Sequence, residues 1–269
     1  MEALAATSRS PWPARRLRAE RLRERHPFAA EVLTLYLSLL DVQEPAFEGV
    51  LARPPASEAV PRLALDLLPR VVEATVAAGP RPLADAVVGR THGAGPDVLV
   101  DLVGGWLRGD EQAPVDRFLA RAATAPFLEA LPDLQPHPGP FPSQGREARC
   151  PRCGGPPQLS YVADSAEPLV TGPRRLVCAR CAAEWVFPRL VCAGCGEETS
   201  SRLPVYSEAE LFPHLRIDGC ETCHRYLLGV DTRRDAAAVP VVDELAALPL
   251  DLYAREHGLL KVVPNLMGF

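Results

Sequence analysis

All eight cysteines of the chain stand in four C-x-x-C pairs, CPRC (150–153), CARC (178–181), CAGC (192–195) and CETC (220–223), with none left over. In such a pair the chain turns back within three residues, so both sulfurs face one point. Two pairs then complete a cage of four thiolates, the donor set that suits zinc or a rubredoxin-type single iron. The gaps between successive pairs are 24, 10 and 24 residues. Equal long gaps around a short one mark a duplicated unit, C-x-x-C-x24-C-x-x-C. The expected metal ligands are therefore Cys150, Cys153, Cys178 and Cys181 in one site, and Cys192, Cys195, Cys220 and Cys223 in the other.

Details of the array support that pairing. Gly154 and Gly196 follow the first knuckle of each unit, where a left-handed backbone closes the turn, while Ala182 and His224 follow the second. Structural disulfides are a poor alternative, because cysteines three apart staple almost nothing. A thioredoxin-like motif would need one such pair after a strand, not four. The stretch CETCH (220–224) also matches the attachment pattern of a c-type haem. Haem there would strand Cys192 and Cys195, and an axial methionine would have to be Met1 or Met267. No haem is expected, and His224 is read as a group beside the cage. Four thiolates around a divalent ion leave a charge of −2, which Arg152, Arg180, Arg189 and Arg225 can offset locally.

The elements that must position these pairs divide the chain. No cysteine lies in the 149 residues before the array or the 46 after it. Upstream, LPDLQPHPGPFPSQGREAR (131–149) is dense in Pro and Gly without periodicity and reads as a linker. Before it the apolar spacing is helical over 28–40, 61–78 (with Pro69 a point for a kink or split), 97–107 and 114–131. The lone His26 and His92 read as surface or capping residues, and Trp106 as core. Seven arginines and two glutamates between Arg9 and Arg25 read first as the solvated face of a first helix, with a docking surface for an acidic partner as the second reading. After the array, 235–258 suggests helix broken near Pro249, followed by an apolar tail that packs on the body without chemistry of its own. The expected organisation is a disordered 1–12, a helical domain 13–140, a linker 141–149, metal subdomains 150–189 and 190–232, and a helical tail 233–269.

Composition narrows the function classes. With 47% apolar residues the chain can bury a core, but its net charge of −5 argues against general nucleic-acid binding. The metal region itself carries eight arginines, no lysine and nine acidic residues over 150–230, without the basic excess of a nucleic-acid ribbon. No run of about 20 apolar residues suggests a membrane span. Arg15-Arg16 is followed by LRAERLRERHP, too charged for an export signal, so a cytoplasmic protein without stable membrane insertion is expected.

The segments CPRCGGPPQLSYV, RRLVCARCAAEW, PRLVCAGCGEE and DGCETCHRYLLGVD, with the closing LPLDLYAREHGLLKVVPNLMGF, together resemble the FdhE family of formate dehydrogenase accessory proteins. RAERLRERHPFAAEVLTLYLSLLDVQ is similar to that family's opening, so the resemblance runs from about residue 13 to the end. It implies an all-α helical N-terminal domain, two tandem rubredoxin-like four-cysteine subdomains and a short C-terminal helical segment. It also implies two metal ions, usually iron, where the residues alone leave iron and zinc open. The implied role is a non-enzymatic assembly factor that binds the catalytic subunit of formate dehydrogenase. Two other classes stay open: a rubredoxin-like electron carrier, and a zinc-ribbon adaptor for nucleic acid, which the acidic balance disfavours. The sequence sets no oligomeric state.

Overall fold

A computed structural model of the protein describes residues 10–132, 134, 148–163, 172–266 and 268. Six helices come first: α1 (Trp12–Arg25), α2 (Ala30–Ala52), α3 (Val60–Ala78), α4 (Arg81–Thr91), α5 (Pro96–Arg108) and α6 (Pro114–Ala130). Proline opens α3, α4, α5 and α6 at the first turn, where its missing N–H costs nothing. α5 stops at Gly109, whose φ of 87° gives the left-handed cap that favours glycine. α3 runs unbroken through Pro69, and α2 continues through Pro45, its far end held by buried Phe47 and Val50. α4 has no counterpart in the apolar pattern, because Val87 is its one buried residue.

The arginine run is only in part a solvated face: Arg21 and Arg25 are exposed. Trp12, Arg18, Ala19 and Leu22 of α1 are buried, and three of the arginines pair with distant carboxylates. Arg15 meets Glu129 of α6 at 2.6 Å, Arg16 meets Asp41 and Glu44 of α2, and Arg18 meets Asp235 at 2.7 Å. Spacing along one helix cannot reveal partners that stand on other elements. His26 departs from expectation too: it caps α1 but is buried between Phe28 and Phe212, with ring centroids 5.4 and 5.1 Å away. His92 is exposed at the end of α4 and Trp106 is buried, both as expected. Residues 1–9 of the expected disordered segment, and 133, 135–140 and 141–147 of the linker region, lie outside the described residues.

The cysteine array forms one sheet, not two separate ones. Its strands are β1 (Pro157–Val162), β2 (Arg174–Cys178), β3 (Glu184–Val186), β4 (Val205–Tyr206), β5 (Leu215–Cys220) and β6 (Arg225–Asp231), in the order β3-β2-β1-β6-β5-β4. Within each unit the pairings are antiparallel. Between units β1 runs parallel to β6, with Ser160 opposite Gly229. The repeat offset from Cys150 to Cys192 is 42 residues, which places β4, β5 and β6 as the counterparts of β1, β2 and β3. The sheet order is therefore the same unit twice, head to tail, and a parallel junction follows from that.

After the sheet, α7 (Pro240–Ala246) and α8 (Leu248–Glu256) meet at a break with Pro249 in the first turn of α8. The tail adds a short strand, β7 (Leu260–Lys261), which runs parallel to β6. One core joins α1 to α6, α7 and the four cysteines of the first unit. A second holds β5, β6 and α8, including Phe212, Ile217 and Leu250.

Candidate metal centres

Each unit gathers its four sulfurs within 4.8 Å of one another. In the first, Cys150 and Cys181 Sγ are 3.6 Å apart, and Cys153 and Cys178 Sγ 3.4 Å. In the second, Cys192 and Cys223 are 3.8 Å apart, and Cys195 and Cys220 3.7 Å. These separations are far beyond a sulfur–sulfur bond of about 2.05 Å. A tetrahedron with metal–sulfur bonds of about 2.3 Å has edges of about 3.8 Å, so both clusters fit a four-coordinate ion. Cys220 and Cys223 face Cys195 and Cys192, which gives the CETCH pair its partners within the second cluster.

Local backbone geometry builds the knuckles. The N–H of Gly154 donates to the Cys150 carbonyl at 2.9 Å, that of Ala182 to Cys178 at 3.2 Å, and that of Gly196 to Cys192 at 2.9 Å. Backbone N–H groups two residues on also reach sulfur, Arg180 to Cys178 Sγ and Gly194 to Cys192 Sγ, both at 3.3 Å. All four residues after the knuckles are left-handed: Gly154 (φ 71°), Ala182 (φ 52°), Gly196 (φ 79°) and His224 (φ 53°). Glycine takes that conformation without strain, so the second knuckle of each unit carries the less favourable residue. Gly155 is needed for another reason, since a Cβ there would lie 2.9 Å from Cys178 Sγ.

The clusters differ in their surroundings. The first is sealed against the helices, with its cysteines 1–5% exposed. In the second, only Cys220 is fully buried. Arg180 is buried beside the first cluster with its guanidinium over the Trp106 ring, 5.7 Å from the centroid. Arg152 donates to the carbonyls of Cys181 and Glu129, and Arg189 to that of Gly172. Glu197, which sequence reasoning missed, links the two knuckles of the second cluster. Its carbonyl accepts the Cys192 N–H at 2.8 Å and its carboxylate accepts the Thr222 hydroxyl at 2.6 Å. That bond, with help from Thr199, holds the carboxyl down at about 2. Within the second cluster the Cys223 hydrogen bond lowers the Cys192 thiol against burial, while burial raises that of Cys195.

Two buried polar networks were also invisible in the sequence. His214, Asp235 and Asp243 have the residue types of a metal site, but Arg18 occupies their centre. Its Nε donates to both Asp243 oxygens at 3.1 Å, and His214 Nε2 lies 2.7 Å from Asp243. In the tail, Lys261 is buried between Glu244 at 2.8 Å and Asp251 at 3.1 Å, with the Tyr226 hydroxyl donating to Asp251 at 2.7 Å. The apolar tail therefore carries the cation that neutralises two buried carboxylates.

Comparison with known proteins places this architecture. A Pseudomonas putida protein described as an FdhE homolog is 30% identical over 280 residues, covering 94% of this chain and 86% of that one. The chain belongs to the FdhE family. The family model for the FdhE C-terminal domain matches residues 191–267, which takes in the second cluster, α7 and α8. An Aquifex aeolicus FdhE homolog is 35% identical over 120 residues, 45% of this chain and 41% of that one. The crystal structure of the FdhE protein from Pseudomonas aeruginosa superposes with a TM-score of 0.65 at 23% identity, covering 97% of this chain and 96% of that one. The helical half and the sheet that follows it are thus a fold shared with that FdhE structure. Among the described residues no helix is long and apolar enough to cross a membrane.

Proposed function

We propose that the protein is a non-enzymatic accessory factor for formate dehydrogenase, binding its catalytic subunit in the cytoplasm. Cys150, Cys153, Cys178 and Cys181 hold one metal ion, and Cys192, Cys195, Cys220 and Cys223 hold a second. The observation that carries this reading is the pair of four-sulfur clusters in an FdhE chain. Each has a full set of protein ligands and keeps no open coordination position, as in structural sites. His214, the histidine paired with a buried carboxylate, has Arg18 against it in place of a hydroxyl or thiol nucleophile. On this reading the metals fix the sheet that presents the binding surface. Deleting the gene should leave the formate dehydrogenase polypeptide present but inactive, and tagged protein should retain the catalytic subunit. Unchanged enzyme activity in the deletion strain would overturn the proposal.

The second reading, a rubredoxin-like electron carrier, draws support from the part-exposed second cluster. Iron there would lie close enough to the surface to exchange electrons with a docked protein. Metal analysis and an absorption spectrum of protein purified from its own host separate the two readings. Zinc in both sites, or iron that physiological reductants leave ferric, removes the carrier.

A further inference from the structure

The repeat makes one strand edge of the first unit directly comparable with one of the second. Ser160 of β1 stands opposite Leu176, and Val205 of β4 stands opposite Asp218. Leu176 and Asp218 are 42 residues apart, the offset of the repeat, so Val205 is the counterpart of Ser160. The outer edge of β1 is covered by β6 running parallel, with Ser160 opposite Gly229. β4 ends the sheet, and among the described residues no strand lies beyond it.

The hydrogen bonding of β4 leaves the same edge open. Directly opposite residues of an antiparallel ladder alternate between bonded and unbonded pairs. The Gly219 N–H donates to the Pro204 carbonyl at 2.9 Å, so the next pair, Val205 with Asp218, is an unbonded one. Val205 therefore turns its N–H and C=O away from β5, to the side on which Ser160 meets β6. Its side chain is 61% exposed, and Leu190, 67% exposed, lines the same cleft of about 60 Å³. On the other face Tyr206 packs edge-on to Tyr253 with ring centroids 5.5 Å apart, which holds β4 in place before anything binds. An open edge beside apolar side chains is a template for one more strand.

A second copy of the chain cannot supply that strand by repeating the internal junction. The Asp231 N–H donates to the His214 carbonyl at 2.8 Å, so Val230 turns the other way, toward β1. The counterpart of Val230, 42 residues earlier, is Pro188, which has no N–H to give. The occupant must be a different polypeptide.

We infer that β4 is a docking edge for an extended apolar segment of a partner protein, which adds to it in parallel as β6 adds to β1. Main-chain bonds to Val205 supply the affinity, and the segment's side chains cover Val205 and the cleft beside it. The inference stands on the strand geometry alone and does not depend on the formate dehydrogenase reading.

The probe is the capped peptide Arg-Tyr-Leu-Leu-Gly-Val-Asp, the sequence of β6, added to the metal-loaded full chain at up to about 1 mM. Amide exchange followed by NMR reads the Val205 N–H, which should exchange freely in the chain alone and about tenfold or more slowly with the peptide. The same peptide with proline in place of its valine lacks the N–H that Val230 turns toward β1, and should leave Val205 unchanged. Val205→Pro removes the receiving N–H without taking a ladder bond from β5, and should weaken binding of a fluorescently labelled peptide about tenfold. A Val205 N–H indifferent to the β6 peptide, or slowed equally by the proline peptide, overturns the proposal. So does an N–H protected in the free chain and released on dilution, which would make a second copy the occupant. These wild-type outcomes decide the matter even if Val205→Pro fails to fold.

Discussion

Ala182 and His224 sit in the left-handed region at φ 52° and 53°, where the equivalent knuckles have glycine. A β-carbon there costs on the order of 1 kcal/mol, less for histidine, which tolerates this region better than alanine. Ala182→Gly should therefore stabilise the protein by up to about 0.5 kcal/mol in denaturant titrations, once the added freedom glycine gives the unfolded chain is subtracted. His224→Gly should gain less and keep the full metal content by elemental analysis. Loss of the second metal in that variant would make His224 a ligand and contradict the four-sulfur assignment. The cysteine pairs were legible because a knuckle is a local device, complete within six residues. Glu197 was not, since its value lies in a carbonyl and a carboxylate that join two knuckles 25 residues apart.

At the scale of elements, the duplicated units share strand order and sulfur geometry but not their neighbours. The first cluster is part of the main core with α1 to α6, while the second packs on a small separate core of Leu176, Phe187, Val191, Ala193 and Leu227 and leaves three of its cysteines part-exposed. Opening the first therefore requires moving helices, while the second can open locally. A colorimetric chelator should remove metal in two phases of equal size, the first at least about tenfold faster and arising from the second cluster. Cys195→Ser should abolish the fast phase and leave helical circular dichroism near normal. Cys153→Ser should lower the thermal midpoint of the helical half itself. A single release phase would show that the burial difference has no consequence for the metals. Helices with dense or striped apolar spacing were readable from sequence, and α4, with only Val87 inside, was not. The merger of the units through β1 and β6 was hidden because parallel pairing links Ser160 to Gly229, with no local signature.

Across the whole molecule, the helical half and the sheet are locked by buried ions contributed from far apart in the chain. Arg18 of α1 reaches Asp243 of α7 and Asp235 before it, and His214 closes the group from the start of β5. In the sequence these arginines looked like solvent-facing charge, because a pair separated by 225 residues leaves no periodic trace. Removing one partner of such a network strands the others, at a cost of about 3–5 kcal/mol, more than the pair itself contributes. Arg18→Met should therefore lower stability by about 3 kcal/mol, and Arg18→Met with Asp243→Leu should recover part of that loss. Acid acts on the same joint. Burial raises the Asp235 carboxyl, but Arg18 and the Ala237 N–H outweigh it and hold the group below its ordinary value. A carboxyl depressed in the folded state contributes stability that is fully present above its unfolded value of about 3.9 and is lost as pH falls through the folded one. Asp235→Asn should therefore cost stability at pH 7 and much less at pH 3. His26, packed nearby, moves the same way for a different reason. Burial, then Arg25 and Arg18, lowers its value, so its contribution is complete above about 6.5 and fades as pH falls further. The two groups together predict that wild-type stability declines in two steps on acidification, the upper one absent from His26→Leu. Denaturant midpoints measured from pH 7.5 to pH 3 check this, and an upper step that persists in His26→Leu would assign it to another group.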